Sequence, residues 1–135
     1  MTDVESEVDQ LFDDYFRDFG SLDLDAIVNY FHLPCMFTTP FGVFVFNTAA
    51  EVDGFWRPRF DDLRSQDFGH TERSKASIKV LADDTAIASS LATRFNKNGK
   101  QMERRGAAFT VRKTGSGWKI VALIHHSLDN VVKIS

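Results

Sequence analysis

Residues 112–126 read Arg112-Lys113-Thr114-Gly115-Ser116-Gly117-Trp118-Lys119-Ile120-Val121-Ala122-Leu123-Ile124-His125-His126. The Thr114-Gly115-Ser116-Gly117 segment is turn chemistry between two extended runs, and no helix opens after it. In the second run, side chains alternate between faces. Trp118, Ile120, Ala122, Ile124 and His126 share one face, and Lys119, Val121, Leu123 and His125 share the other. Both faces are apolar, so both are expected to be covered. Helices supply one cover. Too little chain remains for a second helical layer, so the other cover is expected to be a second copy, making a homodimer through the outer sheet face.

Working outward, further breaks fall at Ala82-Asp83-Asp84 and at Asn98-Gly99. Asn-Gly is a strong hairpin signal because both residues accept positive φ. The spacing predicts strands over about 70–81, 85–96, 100–113 and 117–128. Successive hairpins make the predicted sheet antiparallel. Strands of about 12 residues at roughly 3.3 Å each reach about 40 Å. Strands that long coil strongly, so a highly curved sheet is expected.

The first half reads as helical. Thr2 and Glu5 form a capping box, and Val4, Val8, Leu11, Phe12, Tyr15, Phe16 and Phe19 follow with helical spacing. Gly20 is a natural stop, which gives a helix over about 3–19. Asp23 caps a short second helix with Ala26, Ile27, Tyr30 and Phe31 on its apolar face. Pro34 ends it near His32. Short strands over 35–38 and 43–46 then flank the turn Thr39-Pro40-Phe41-Gly42. Thr48 and Glu51 make a second capping box, and Val52, Phe55, Trp56, Phe60 and Leu63 carry a third helix to about Gln66. Pro58 predicts a kink or break within it. The order of elements predicts an α+β fold: three N-terminal helices packed on a highly curved antiparallel β-sheet. A chain of 135 residues and 15.3 kDa fits one such domain over 1–135.

Composition narrows the function classes. Thirteen Phe, two Trp and two Tyr are too many aromatics for a disordered chain. The net charge is −3, and the nearest approach to a basic cluster is Arg104, Arg105, Arg112 and Lys113. No basic stripe is present, which argues against a nucleic-acid partner. No apolar run approaches the roughly 18 residues that span a bilayer, so no membrane partner is expected. The acidic start (Asp3, Glu5, Glu7, Asp9) has neither a basic region nor an apolar signal core, so the expected location is cytoplasmic. The single cysteine, Cys35, excludes an intrachain disulfide and a multi-Cys zinc site. With no metal-spaced His/Asp/Glu cluster and no glycine-rich phosphate loop, neither metal nor cofactor is expected.

The chain resembles the nuclear-transport-factor-two-like superfamily. The residues that carry the resemblance are the opening amphipathic helix, Leu24-Asp25-Ala26-Ile27-Val28 running into Phe37-Thr38-Thr39-Pro40, and the closing Arg112 to Val121. The closing phrase is common in members described as SnoaL-like. The resemblance covers nearly the whole chain and implies a cystatin-like cone whose helices and concave sheet face enclose an apolar cavity. It also implies a small-molecule ligand there, with cofactor-free cyclase, lyase or isomerase chemistry as one use of the fold and a non-catalytic interaction module as another. Small residues on one strand face (Ala86, Ala88, Ser90, Ala92) leave room for a cavity, or for Phe side chains to fill it.

Catalytic members of that superfamily use carboxylates, and the strands over 85–96 and 117–128 hold no Asp or Glu. Histidine then becomes the candidate for proton transfer. His125 and His126 point to opposite faces, so at most one lines a cavity. The sequence reading favours His126 as acid, base or hydrogen-bond donor, with a satisfied core histidine as the other reading. Tyr30 and His32 precede the Pro34 break near the expected mouth and complete the catalytic candidates. Arg94 shares parity with Ala88, Ser90 and Ala92 and would bind a carboxylate or phosphate. Trp56, Phe37, Tyr15 and Ile124 complete the expected ligand-binding set, with a core role as the alternative for Tyr15 and a core or pocket-lid role for Trp56.

Overall fold

A computed structural model describes residues 3–74 and 77–126. The elements in chain order are α1 (Asp3–Gly20), α2 (Leu24–Asn29), β1 (Phe31–Thr39), β2 (Gly42–Phe46), α3 (Ala49–Ser65), β3 (Phe68–Arg73), β4 (Ser77–Ala82), β5 (Thr85–Asn96), β6 (Gln101–Thr114) and β7 (Gly117–His126). The Thr2 cap and the last residues of the strand expected over 117–128 lie outside the described residues. Among the described residues no helix is long and apolar enough to cross a membrane.

Local chemistry fixes two of the three helix starts. The Asp23 carboxylate accepts from the Ala26 N–H at 3.2 Å and opens α2. At α3 the reciprocal box forms: Thr48 Oγ1 accepts from the Glu51 N–H at 3.2 Å, and Glu51 Oε1 accepts from the Thr48 N–H at 3.1 Å. Pro58 lies inside α3, and the helix runs through it to Ser65 without a break. Pro58 and Gly54, four residues earlier, are both exposed, so water can meet the carbonyl left unpaired there.

The sheet order is β2-β1-β7-β6-β5-β3, with β4 also pairing β5. The sheet is curved and unclosed, and it is mixed rather than antiparallel, because β1 runs parallel to β7. This corrects the antiparallel expectation. The hairpin rule governs neighbours in sequence, whereas β1 and β7 are brought together by tertiary packing. That pairing also shortens α2 and lengthens β1. Phe31 opposes Ile120, and the Tyr30 carbonyl accepts from the Ile120 N–H at 2.8 Å, so residues read as the end of a helix become strand. The predicted strand over 70–81 is two strands sharing one edge of β5. β3 pairs residues 92–96 and β4 pairs residues 85–89. Between them the Leu91 N–H donates to Ser74 Oγ at 2.9 Å.

Several strands carry one residue more than their partner. The extra residues are Gly69 in β3, Leu81 in β4, Met102 in β6 and Val121 in β7. Such bulges bend a strand and increase its twist, which supplies the curvature. One aromatic-rich core fills the concave side. From α1 it takes Val8, Leu11, Phe12, Tyr15 and Phe19, and from α3 it takes Val52, Phe55, Trp56, Phe60 and Leu63. Phe37 sits at its centre, with the Phe55 ring at 4.8 Å and the Phe31 and Phe46 rings at 5.0 Å.

Gly69 is the bulge with the least room. A Cβ there would stand 2.7 Å from the Asn96 carbonyl oxygen, which is backbone and cannot swing away. Gly69→Ala is expected to cost about 1–3 kcal/mol by overpacking, read as a lower denaturation midpoint. An unchanged midpoint would mean that the β3–β5 edge is loose.

Candidate functional site

The β-bulge at Val121 decides which histidine faces inward. Thr110 opposes Ala122 and Val111 opposes Ile120, so Val121 has no partner of its own. Alternation therefore slips by one residue. Trp118 and Ile120 point into the core, and beyond the bulge so do Leu123 and His125. Ile124 is carried to the other face, opposite Thr38 and Ala108, where it is 39% exposed. His126 ends β7 opposite Gly106, against a shallow groove at the rim.

The concave wall is built in rows. Ser90, Ala107 and His125 lie side by side on β5, β6 and β7. Ala92 opposes Arg105 in the next row, and Arg94 opposes Glu103 in the one after. On the helical side stand Tyr15, Phe16 and Phe19 of α1 and Phe55, Trp56 and Arg59 of α3. These walls bound a cleft of about 410 Å³ and, beneath it, a chamber of about 40 Å³ floored by Ser90, Ala92 and Ala107. Phe19, Trp56, Arg94, Arg105 and His125 line both spaces. The β1–β2 hairpin adds Thr39, Pro40 and the 82%-exposed Phe41 at the mouth.

Charge in the cleft is organised around Glu103. Its carboxylate binds Arg94 through a short hydrogen bond and Arg105 at 3.2 Å. Burial pushes the Glu103 pKa up, but the charges of Arg94 and Arg105 outweigh it and hold the group below the usual range. Arg94 is largely buried, with its guanidinium 5.2 Å from the Phe19 ring centre. His125 is pushed down to about 4, first by burial and then by the charges of Arg105, Arg94 and Arg59, so its imidazole is neutral near pH 7. Two buried polar atoms of the chamber walls, Trp56 Nε1 and Thr71 Oγ1, have no hydrogen-bond partner among the described residues. An unmet buried donor costs about 1–3 kcal/mol. Five rings with centroids within 6.3 Å hold the indole in place.

The structure brings Arg94, Trp56 and Tyr15 from the sequence candidates to these walls, and burial raises the Tyr15 pKa. It places the others elsewhere. Phe37 is fully buried in the ring cluster behind Trp56. The Tyr30 hydroxyl donates to Asp18 at 2.5 Å, which ties α2 to α1. His32 is on β1 with Nδ1 2.9 Å from the Pro34 carbonyl. The sequence reading did not reach Arg59 or Arg105 as site residues, and of the pair His125 and His126 it favoured His126, whereas His125 lines the cleft. Arg105 carried a signal, since it alternates with Glu103, Ala107 and Phe109. Arg59 follows Phe55 by four residues, a spacing that shares a helix face. Among the described residues no group of three or more His, Cys, Asp or Glu is placed to hold a metal.

An α+β domain with helices over a curved mixed sheet and a cleft on its concave side defines a structural class. The family described as NTF2-like protein (DUF6841) matches residues 5–128, and the chain belongs to it. No curated protein matches the sequence significantly. Among solved structures, an NTF2-like protein with a cystatin-like fold from Novosphingobium aromaticivorans is similar at a TM-score of 0.77 and 19% identity, over 93% of this chain and 82% of that one. Aln2 from a Streptomyces species is similar at 0.78 and 13%, over 96% and 94%. A ketosteroid isomerase-like protein from Erwinia carotovora atroseptica is similar at 0.71 and 16%, over 94% and 99%. At these identities the likeness is one of fold.

The depressed His125 pKa has a consequence for stability. Between about pH 6.5 and 4 the unfolded chain binds a proton at this residue that the folded chain refuses, so stability falls as pH falls through that window. The loss is expected to reach about 2–3 kcal/mol. The His125→Gln variant should lose less of its thermal midpoint between pH 7 and pH 5 than the parent. Equal losses would show that His125 is solvated.

Proposed function

We propose that the protein binds a small, largely apolar molecule within one nuclear-transport-factor-two-like domain, with the cleft as the mouth of a cone and the Trp56 chamber at its base. One observation carries this reading: a cleft whose volume suits a small-molecule ligand, lined by Trp56, whose buried indole N–H has no acceptor among the described residues. The protonation states support binding more than turnover. Glu103 is held ionised between two arginines, and His125 titrates well below neutrality, so neither is poised to exchange a proton near pH 7. Cofactor-free cyclase, lyase or isomerase chemistry would require a ligand that alters those charges, and His125 would then be the proton carrier.

The two tryptophans supply the test. Trp118 Nε1 donates to Glu7 at 2.8 Å, whereas Trp56 Nε1 has no partner among the described residues. Fused-ring aromatic compounds titrated into labelled protein are expected to move the Trp56 indole N–H signal and leave the Trp118 signal in place. If no compound moves the Trp56 signal, the cavity reading fails.

The rival reading, an interaction module, is favoured by a different observation. On the outer face, Val43, Thr38, Ile124 and Ala108 form one row and Val45, Met36, Ala122 and Thr110 form the next. Val43, Val45, Met36 and Ile124 are each at least 39% exposed. We infer a homodimer through this face, which is compatible with a ligand on the other side. Sedimentation at micromolar concentration is expected to give a dimer for the parent and a folded monomer for Ile124→Glu. A monomeric parent removes the inference.

A further inference from the structure

We propose that the cleft selects molecules that carry a carboxylate on an aromatic body, and that Arg59 is the guanidinium that receives it. This rests on the ligand-binding reading and names the class of molecule bound.

Three guanidiniums (Arg59, Arg94 and Arg105) and two carboxylates (Asp62 and Glu103) line the cleft. The pairing is unequal. Glu103 engages both Arg94 and Arg105. Asp62 is exposed, accepts from Gln66 Nε2 at 3.0 Å, and has no arginine partner among the described residues. Arg59 is half-buried, and among the described residues it forms no ion pair with a carboxylate. Its Nη1 donates to the Phe55 carbonyl at 2.7 Å, and its guanidinium lies 3.7 Å from the Phe55 ring centre. Those contacts fix the orientation of the side chain. They leave Nη2 and Nε without acceptors among the described residues.

A planar fork held at one corner and open at the others matches a carboxylate, which takes two parallel hydrogen bonds. Burial and the nearby Arg105 charge both work against the Arg59 charge, and the opposite charge of an anionic ligand would offset them. The rest of the cleft suits the remainder of such a molecule. Phe19, Phe41 and Trp56 line the cleft and offer rings to a flat hydrocarbon body. Phosphate is the poorer fit, because no glycine-rich run offers it a backbone N–H cradle.

The test uses matched pairs of graded size: benzoate, naphthoate and anthracene carboxylate, each against its neutral carboxamide. Affinity is measured by calorimetry, with the Trp56 indole signal as the marker of location. At low salt the carboxylate of the best-fitting pair is expected to bind about tenfold or more tightly than its amide, and the gap should narrow with added salt. Arg59→Met should abolish the gap while amide binding persists, and Arg59→Lys should restore part of it. Thermal unfolding of both variants checks that they fold. Equal affinity within the pairs, with the Trp56 signal moving for both members, would overturn the anion preference and leave the ligand-binding reading intact. A preference that survives in Arg59→Met would overturn the role of Arg59. If no member of any pair moves the Trp56 signal, the ligand-binding reading falls and this inference falls with it.

Discussion

A guanidinium under a layer of aromatic rings must be answered by a carboxylate, and much of this site follows from that demand. Arg94 lies largely buried against Phe19, so water cannot carry its charge. Glu103 answers it from the directly opposing position on the next strand. The pair therefore needs β5 and β6 in one register, and that register also places Arg105 and Ala107 on the wall. Because Glu103 serves two arginines, the carboxylates of the cleft are used unevenly, and Arg59 is left with carbonyl and ring contacts only.

Much of the fold was legible because local rules decide it. The capping box at Thr48, the Asp23 cap, apolar periodicity and the breaks read at 82–84, 98–99 and 114–117 locate most element ends. What escaped was set at a distance. Nothing near Phe31 announces a parallel partner at Ile120, so the start of β1 reads as helix. Nor does the run over 70–81 announce that β5 is long enough to take two short strands on one edge.

The site was less legible for a related reason. Arg94 and Trp56 could be placed by parity and helical spacing within a single element. The choice between His125 and His126 could not, because it depends on one unpaired residue whose presence is a property of the β6–β7 ladder. Arg59 does not stand out in the sequence, and Arg105 reads only as part of the loose grouping with Arg104, Arg112 and Lys113, since a sequence gives no sign of what buries an arginine. The aromatic residues were visible as a group, but their division between core and wall was not. Phe37 and Trp56 are in contact, yet only Trp56 reaches the chamber.

The bulge at Val121 also bears on how such a pocket changes over time. Substitutions at the wall alter one contact each. Removing Val121 alone would straighten the strand and leave Leu123 and His125 on the concave side, because Ile120 and Ala122 already sit opposite Val111 and Thr110; a residue gained in β6 between Thr110 and Val111 would instead pair Val121 and turn Ile124 and His126 to the face that Ile120 holds. Within this fold, relatives that loop out or pair one residue of this ladder would present opposite sets of β7 side chains to the pocket, and an alignment blind to the bulge would match residues from opposite sides of the sheet.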